Sequence, residues 1–180
     1  MSIIHYFRAL IMAQQKKIEI LNDLQVKQIM KRLAYQVYEN HFHQKELVVA
    51  GIAGNGSKIA GMLVNELALI CNIHIHKLEI ALNKQSPDVN EVKISDDGIN
   101  LNNIPILVVD DVLNSGKTML YALTPFVRAK APSIDILTLI DRSHKRFPVH
   151  ANYIGISLST MLQEHIEVTI NKNKVVVNLV

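Results

Sequence analysis

An unbroken apolar run, Ile106-Leu107-Val108-Val109, ends on two adjacent carboxylates, Asp110 and Asp111, and a Ser115-Gly116-Lys117-Thr118 turn follows four residues later. A run this short and this apolar reads as a strand covered on both faces, which calls for helices above and below a sheet. Residues 47–52 form a second such run, and 73–82 and 134–140 also read as strands. Helical spacing separates them. Val26, Ile29, Met30, Leu33 and Val37 predict a helix over 23–41, with a capping signal at Asn22, Asp23 and Gln25. Ala53-Gly54-Asn55-Gly56-Ser57 is a turn leading into a helix near 58–71, and a third helix is expected from Thr118 to about Lys130. The alternation predicts an α/β fold with a central, mainly parallel sheet flanked by helices and joined by right-handed crossovers.

Two stretches depart from that rhythm. Residues 83–103 have no helical period and carry Pro87, Asp96, Asp97 and Gly98, so a long loop or hairpin is expected there. After Asp141 the pattern shortens to strand-like pieces at 153–156, 166–170 and 175–179, read as a small C-terminal hood or β subregion. Residues 18–180 are expected to form a single domain, with 1–17 as an N-terminal extension. Met12 looks like a natural start. Residues 1–12 are apolar but carry His5 and Arg8 and lack a cleavage-site pattern; they are too short to span a membrane, and the expected address is the cytoplasm.

An apolar fraction of 49% in 180 residues supplies a full core. A single cysteine, Cys71, excludes an internal disulfide and a cysteine-rich zinc site. The formal charge of +3 suits anionic ligands but is too small to establish nucleic-acid binding. His74 and His76 lie two apart, which can place both on one strand face. No third metal ligand is evident, so an exposed strand is the better reading. Lys16-Lys17 reads as a solvated pair, and Met30, Met62 and Met119 as core fillers.

In an open parallel sheet, ligands sit beyond the carboxyl ends of the strands. There, Ser115 to Thr118 offers hydroxyls and backbone N–H groups where a helix begins, a suitable seat for a phosphate. Asp110 and Asp111 suit sugar hydroxyls and positive charge developing on a sugar. Two other motifs fail. A Walker A loop needs glycine five positions before Gly116, where Asp111 stands; Gly51 to Gly56 has that spacing but continues Ser57-Lys58. Gly54-Asn55-Gly56 followed by Ile59 is a broken dinucleotide fingerprint. An NTPase and a dehydrogenase are thereby disfavoured.

Val108 to Thr118 resembles the phosphoribosyl-pyrophosphate (PRPP) signature of the type I phosphoribosyltransferases. Leu139-Ile140-Asp141-Arg142-Ser143-His144-Lys145-Arg146-Phe147-Pro148 and Ala151-Asn152-Tyr153-Ile154-Gly155 are similar to one branch, the pyrimidine-operon attenuation regulators that are also uracil phosphoribosyltransferases. The resemblance implies transfer from PRPP to uracil, giving UMP and diphosphate, with Mg²⁺ held mainly by PRPP rather than directly by protein. It implies catalytic roles for Asp110, Asp111 and Lys84, and PRPP or nucleotide contacts from Asp110, Asp111, Val112, Leu113, Asn114, Ser115, Gly116, Lys117 and Thr118. Ala53, Gly54, Asn55 and Gly56 would form the pyrophosphate loop, and Asp141, Arg142 and His144 the hood over the base. A homo-oligomer, dimer or tetramer, and an RNA partner are implied as well. Alternatives are a catalytically weak nucleotide sensor or a transferase for another base.

The departures from the family pattern gather on the pyrophosphate side. Asn55 stands where the family usually carries a basic residue, with Lys58 as a possible substitute cation. Asn83-Lys84-Gln85-Ser86 replaces a Tyr-Arg-Asp-Asp stretch, and only Lys84 keeps a matching charge. Losing cations there removes charge-assisted contacts worth roughly 1.5–3 kcal/mol each. On the RNA side, Lys31 and Tyr35 stand where that branch uses Thr and His. Lys27, Lys31, Arg32, Lys145 and Arg146 are the available patch.

Overall fold

The computed structural model describes residues 17–95, 98–142, 144–159, 164–172 and 174–180. The N-terminal extension, apart from Lys17, falls outside them. Strand β1 (Ile18–Leu21) leads into helix α1 (Asp23–His41), which opens on a capping box: the Asn22 side chain accepts from Gln25 N at 3.0 Å, and Gln25 Oε1 accepts from Asn22 N at 2.9 Å. Asn22→Ala removes the acceptor for the Gln25 N–H, leaves that donor to water and should cost about 1 kcal/mol in chemical denaturation.

Strand β2 (Glu46–Ile52), helix α2 (Asn55–Ala68) and strand β3 (His74–Ala81) follow, then the two-residue strand β4 (Lys93–Ile94). Next come strand β5 (Ile106–Leu113), helices α3 (Lys117–Ala122) and α4 (Thr124–Arg128), and strands β6 (Ile134–Arg142), β7 (Tyr153–Leu158), β8 (Ile166–Asn171) and β9 (Lys174–Leu179). The main sheet has the order β4-β3-β2-β5-β6-β7, parallel throughout except for β4. β2 and β5 are its buried centre, which explains their unbroken apolar runs. One core layer packs Val26, Met30, Leu33, Leu63 and Leu107 between the sheet and helices α1 and α2. The other packs Val108, Met119 and Phe126 under α3 and α4.

The architecture agrees with the expected α/β class, and four local expectations are corrected. β5 does not stop at Val109: its pairing with β6 continues through Asp110↔Thr138, Val112↔Ile140 and Leu113↔Asp141, so both acids are strand residues. The helix expected over 118–130 is two helices, because Pro125, in the first turn of the second, brings no N–H. The Thr124 hydroxyl donates to the Tyr121 carbonyl at 2.7 Å in that gap. Residues 153–158 are not appended; β7 extends the main sheet beside β6. The smaller sheet runs β1-β9-β8, so the hood draws a strand from the N-terminal side that the sequence reading placed in no element. The long polar stretch 83–103 includes β4, which returns antiparallel along β3, and a short 3-10 turn at Leu101–Asn103.

Candidate active site

Neighbouring residues of a strand point to opposite faces, so the two acids at the end of β5 meet different surroundings. Asp110 is only 5% exposed. Its Oδ1 accepts from Asp111 N at 3.0 Å and lies 3.7 Å from Lys84 Nζ, which reaches in from the segment after β3. Burial, reinforced by the Asp111 charge, pushes the Asp110 carboxyl up to about 7, with Lys84 pulling the other way. Asp111 is half-buried. Its Oδ1 accepts from Val112 N at 3.0 Å and its Oδ2 from Asn55 Nδ2 at 2.8 Å. The same amide donates to Val168 O on β8, also at 2.8 Å, so Asn55 ties Asp111 to the smaller sheet.

Helix α2 starts three residues earlier than its periodicity implies, which puts Asn55 and Gly56 in its first turn behind Gly54 at φ +94°. The approach to β5 is close. A Cβ on Gly56 would meet Asp110 Oδ1 and Val109 O, each at 2.9 Å, so a side chain there would displace the acid. Gly56 is the residue whose missing side chain lets the first turn of α2 lie against the buried carboxylate.

The turn after β5 is fixed from behind. Gly116 holds φ +85°, where other residues are strained, and Ser115 O accepts from Arg146 N at 2.9 Å and Phe147 N at 3.1 Å. Ser115 Oγ accepts from Lys117 N at 3.4 Å. A cavity of about 140 Å³ opens here, lined by Asp110, Val112, Leu113, Asn114, Ser115, Gly116, Thr118 and Met119. A second, of about 280 Å³, shares Asn114 and Ser115 and is otherwise lined by Arg142, His144, Arg146 and His165.

The expected residues therefore divide. Asp110, Val112 to Gly116 and Thr118 share one cavity, whereas Asp111 and Lys117 line neither. Arg142 and His144 face the second cavity. Asp141 does not: it is engaged by Lys145 Nζ, which also donates to Leu113 O at 3.0 Å and Arg142 O at 2.7 Å. Two further residues line that cavity, Arg146 and His165. The first follows directly in the same sequence segment; the second arrives from just before β8, and nothing in its local sequence marks it. Of the patch considered for RNA, Lys27 pairs with Asp23 at 2.7 Å, and Arg32 donates to Ile154 O and Gly155 O at 3.1 and 2.6 Å. Lys145 is held as described, which leaves Lys31 and Arg146 as exposed cations that form no ion pair with another described residue.

His74 and His76 touch edge to face at 4.5 Å, and His76 Nε2 lies 2.7 Å from Glu46 Oε2. Among the described residues no group of three or more His, Cys, Asp or Glu side chains could hold a metal ion. Among them, too, no helix is long and apolar enough to cross a membrane.

Residues 18–172 match the phosphoribosyl transferase domain family. The chain belongs to that family. The phosphoribosyltransferase is 30% identical over 159 residues to the "Bifunctional protein PyrR" of Streptococcus thermophilus, covering 87% of this chain and 92% of that one. It is likewise 30% identical over 161 residues to the protein of the same name from Haemophilus ducreyi, covering 83% and 87%. Among solved structures, a hypoxanthine phosphoribosyltransferase from Staphylococcus aureus superposes with a TM-score of 0.65 at 23% identity, over 82% of this chain and 80% of that one. The hypoxanthine phosphoribosyl transferase of Trypanosoma cruzi gives 0.67 at 15% identity, over 81% and 79%. At those identities the likeness establishes the fold of this phosphoribosyltransferase and not its base.

Proposed function

We propose that this phosphoribosyltransferase joins uracil to the ribose 5-phosphate of PRPP, giving UMP and diphosphate. One observation carries the reading: Asp110, Asn114, Ser115, Gly116 and Thr118 border a single cavity at the carboxyl end of β5. The turn takes the 5-phosphate through backbone N–H groups and hydroxyls. Asp110 and Asp111 accept from the ribose hydroxyls and face the positive charge that grows on the ring. The C1–O bond to diphosphate breaks with its electron pair leaving on oxygen, uracil N1 bonds to C1, and the N1 proton is released. The protein contributes position and charge rather than a covalent intermediate.

The family uses Mg²⁺ with PRPP. Asp110 and Asp111 offer the hard oxygen donors such an ion takes, in numbers that suit an ion held mainly by its substrate. When bound, the ion supplies charge to the departing diphosphate. Two guanidiniums, Arg142 and Arg146, and two imidazoles, His144 and His165, form the rim on the side where the base and its approach lie. The protein is expected to act in a homo-oligomer, which sedimentation of the full chain measures.

A second reading has its own observation. Asn55, in place of a cation, closes Asp111 against β8 and offers the leaving diphosphate no charge. On that reading the pocket is a nucleotide sensor in a regulator of pyrimidine genes, with RNA as the second partner. Labelled uracil with PRPP and Mg²⁺, run beside UMP binding, separates the two: turnover supports the transferase, and tight UMP binding without turnover rejects it. Asn55→Lys should raise the turnover rate about tenfold while leaving UMP affinity within a few-fold, because UMP carries no diphosphate; single-turnover kinetics read the difference. Salt-dependent, sequence-selective RNA binding would support the regulatory arm.

A further inference from the structure

Behind the α2 turn that carries Asn55 lies a groove of about 490 Å³, larger than either cavity of the candidate active site. Three elements supply a lysine each: Lys58 from α2, Lys77 from β3 and Lys172 from the end of β8. All three are exposed, and none makes an ion pair with another described residue. The lining holds no carboxylate; it is completed by Asn65, an amide able to donate, and by apolar residues such as Ile170. Lys77 Nζ lies 3.2 Å from where a Cβ on Gly61 would stand, so the bare helix surface at Gly61 gives the ammonium its place. Lys172 holds φ +43°, a left-handed conformation in which a side-chain-bearing residue is uncommon. Three like charges gathered in one concavity without counter-charges repel one another, and an anion relieves that repulsion.

We propose that this groove is an effector site for a small polyphosphorylated ligand, separate from the cleft at β5. Several phosphates are required because the cations come from three elements around one opening. A ligand bridging Lys58 and Lys172 holds β8 against α2. Those are the two elements that Asn55 joins through its bond to Val168 O, so occupancy reaches the loop beside Asp111 without touching it. The site rests on the groove's own charge and not on the transfer reaction.

Inorganic tripolyphosphate is the probe, titrated calorimetrically into the full chain carrying Ser115→Asp, whose added carboxylate closes the β5 turn to phosphate. Lys58→Gln, Lys77→Gln and Lys172→Gln combined in that background should weaken binding at least tenfold. A control removing equal charge elsewhere, Lys31→Gln, Lys45→Gln and Lys93→Gln, should change it less than threefold. Bound tripolyphosphate should also slow hydrogen exchange at the β8 amides. Undiminished affinity in the groove variant overturns the proposal, as does an equal loss in the control, which marks diffuse attraction to a basic surface. Circular dichroism of the variants checks their folding, and exchange protection in the groove-intact protein reads the site even if a variant unfolds.

Discussion

Asp111→Asn should lower UMP affinity about a hundredfold while leaving the fold intact, as read by calorimetry and circular dichroism. The carboxylate is half-buried, and each of its oxygens already accepts one hydrogen bond, from Val112 N and from Asn55 Nδ2. An asparagine keeps one acceptor and presents an NH₂ where the other stood. If that NH₂ faces Asn55, two donors confront each other; if it faces the Val112 N–H, the same conflict falls on the backbone. The ribose hydroxyls then lose a charged acceptor, and charged hydrogen bonds are worth roughly 1.5–3 kcal/mol each. The core beneath is untouched, because Leu107 and Val109 carry the strand. Unchanged UMP affinity would place the ribose elsewhere and remove the central support for phosphoribosyl transfer.

Asp110→Asn should have the opposite character: a gain in stability that appears only as pH rises. The buried carboxyl of Asp110 titrates near 7 in the folded protein, against an ordinary value of 3.8, because burial and the Asp111 charge disfavour its ionised form. The folded state therefore binds more protons than the unfolded chain between those values. The associated stability is fully present below 3.8 and is lost as pH rises through 7. Between pH 5 and pH 8 the wild-type protein should give up about 2–3 kcal/mol on this account, and the neutral amide should not. Denaturant titrations of both proteins at the two pH values measure that difference directly, cancelling the carboxylates they share. A constant gap between them would mean that Asp110 ionises normally. The burial that costs stability at neutral pH also keeps water from the carboxylate.

Legibility in the sequence followed the range of the forces involved. Helix α1 was readable because its apolar spacing and its cap lie within twenty residues, and β2 and β5 because burial on both faces leaves no polar position. The order of elements then implied the main sheet. What escaped was decided by partners far away in the chain. β5 continues past its apolar run because β6 offers backbone pairing as far as Leu113, so two acids sit in a strand that composition alone would end. Residues 153–158 look like other short strands, and only the open edge of β6 assigns them to the main sheet. The split between α3 and α4 was local and visible at Pro125, outweighed by a helical period that continues through it. In the candidate site, the turn and Asp110 were legible as neighbours because they are nearly contiguous in the chain. His165 and the Asn55–Val168 bond were not, since both depend on how the hood sheet folds back over the β5 end.

That hood sheet has a consequence for the order in which the protein is made. Among the described elements β1 is the first made and β9 the last, yet the two pair directly, Ile18 with Leu179, and β8 joins through β9. A ribosome-bound chain can assemble much of the β2–β7 sheet while β1 still lacks its neighbour. Val168, the carbonyl that anchors Asn55, is delivered in the final strands. Until β8 and β9 have been made, the acid pair at β5 lacks the cover that those strands supply.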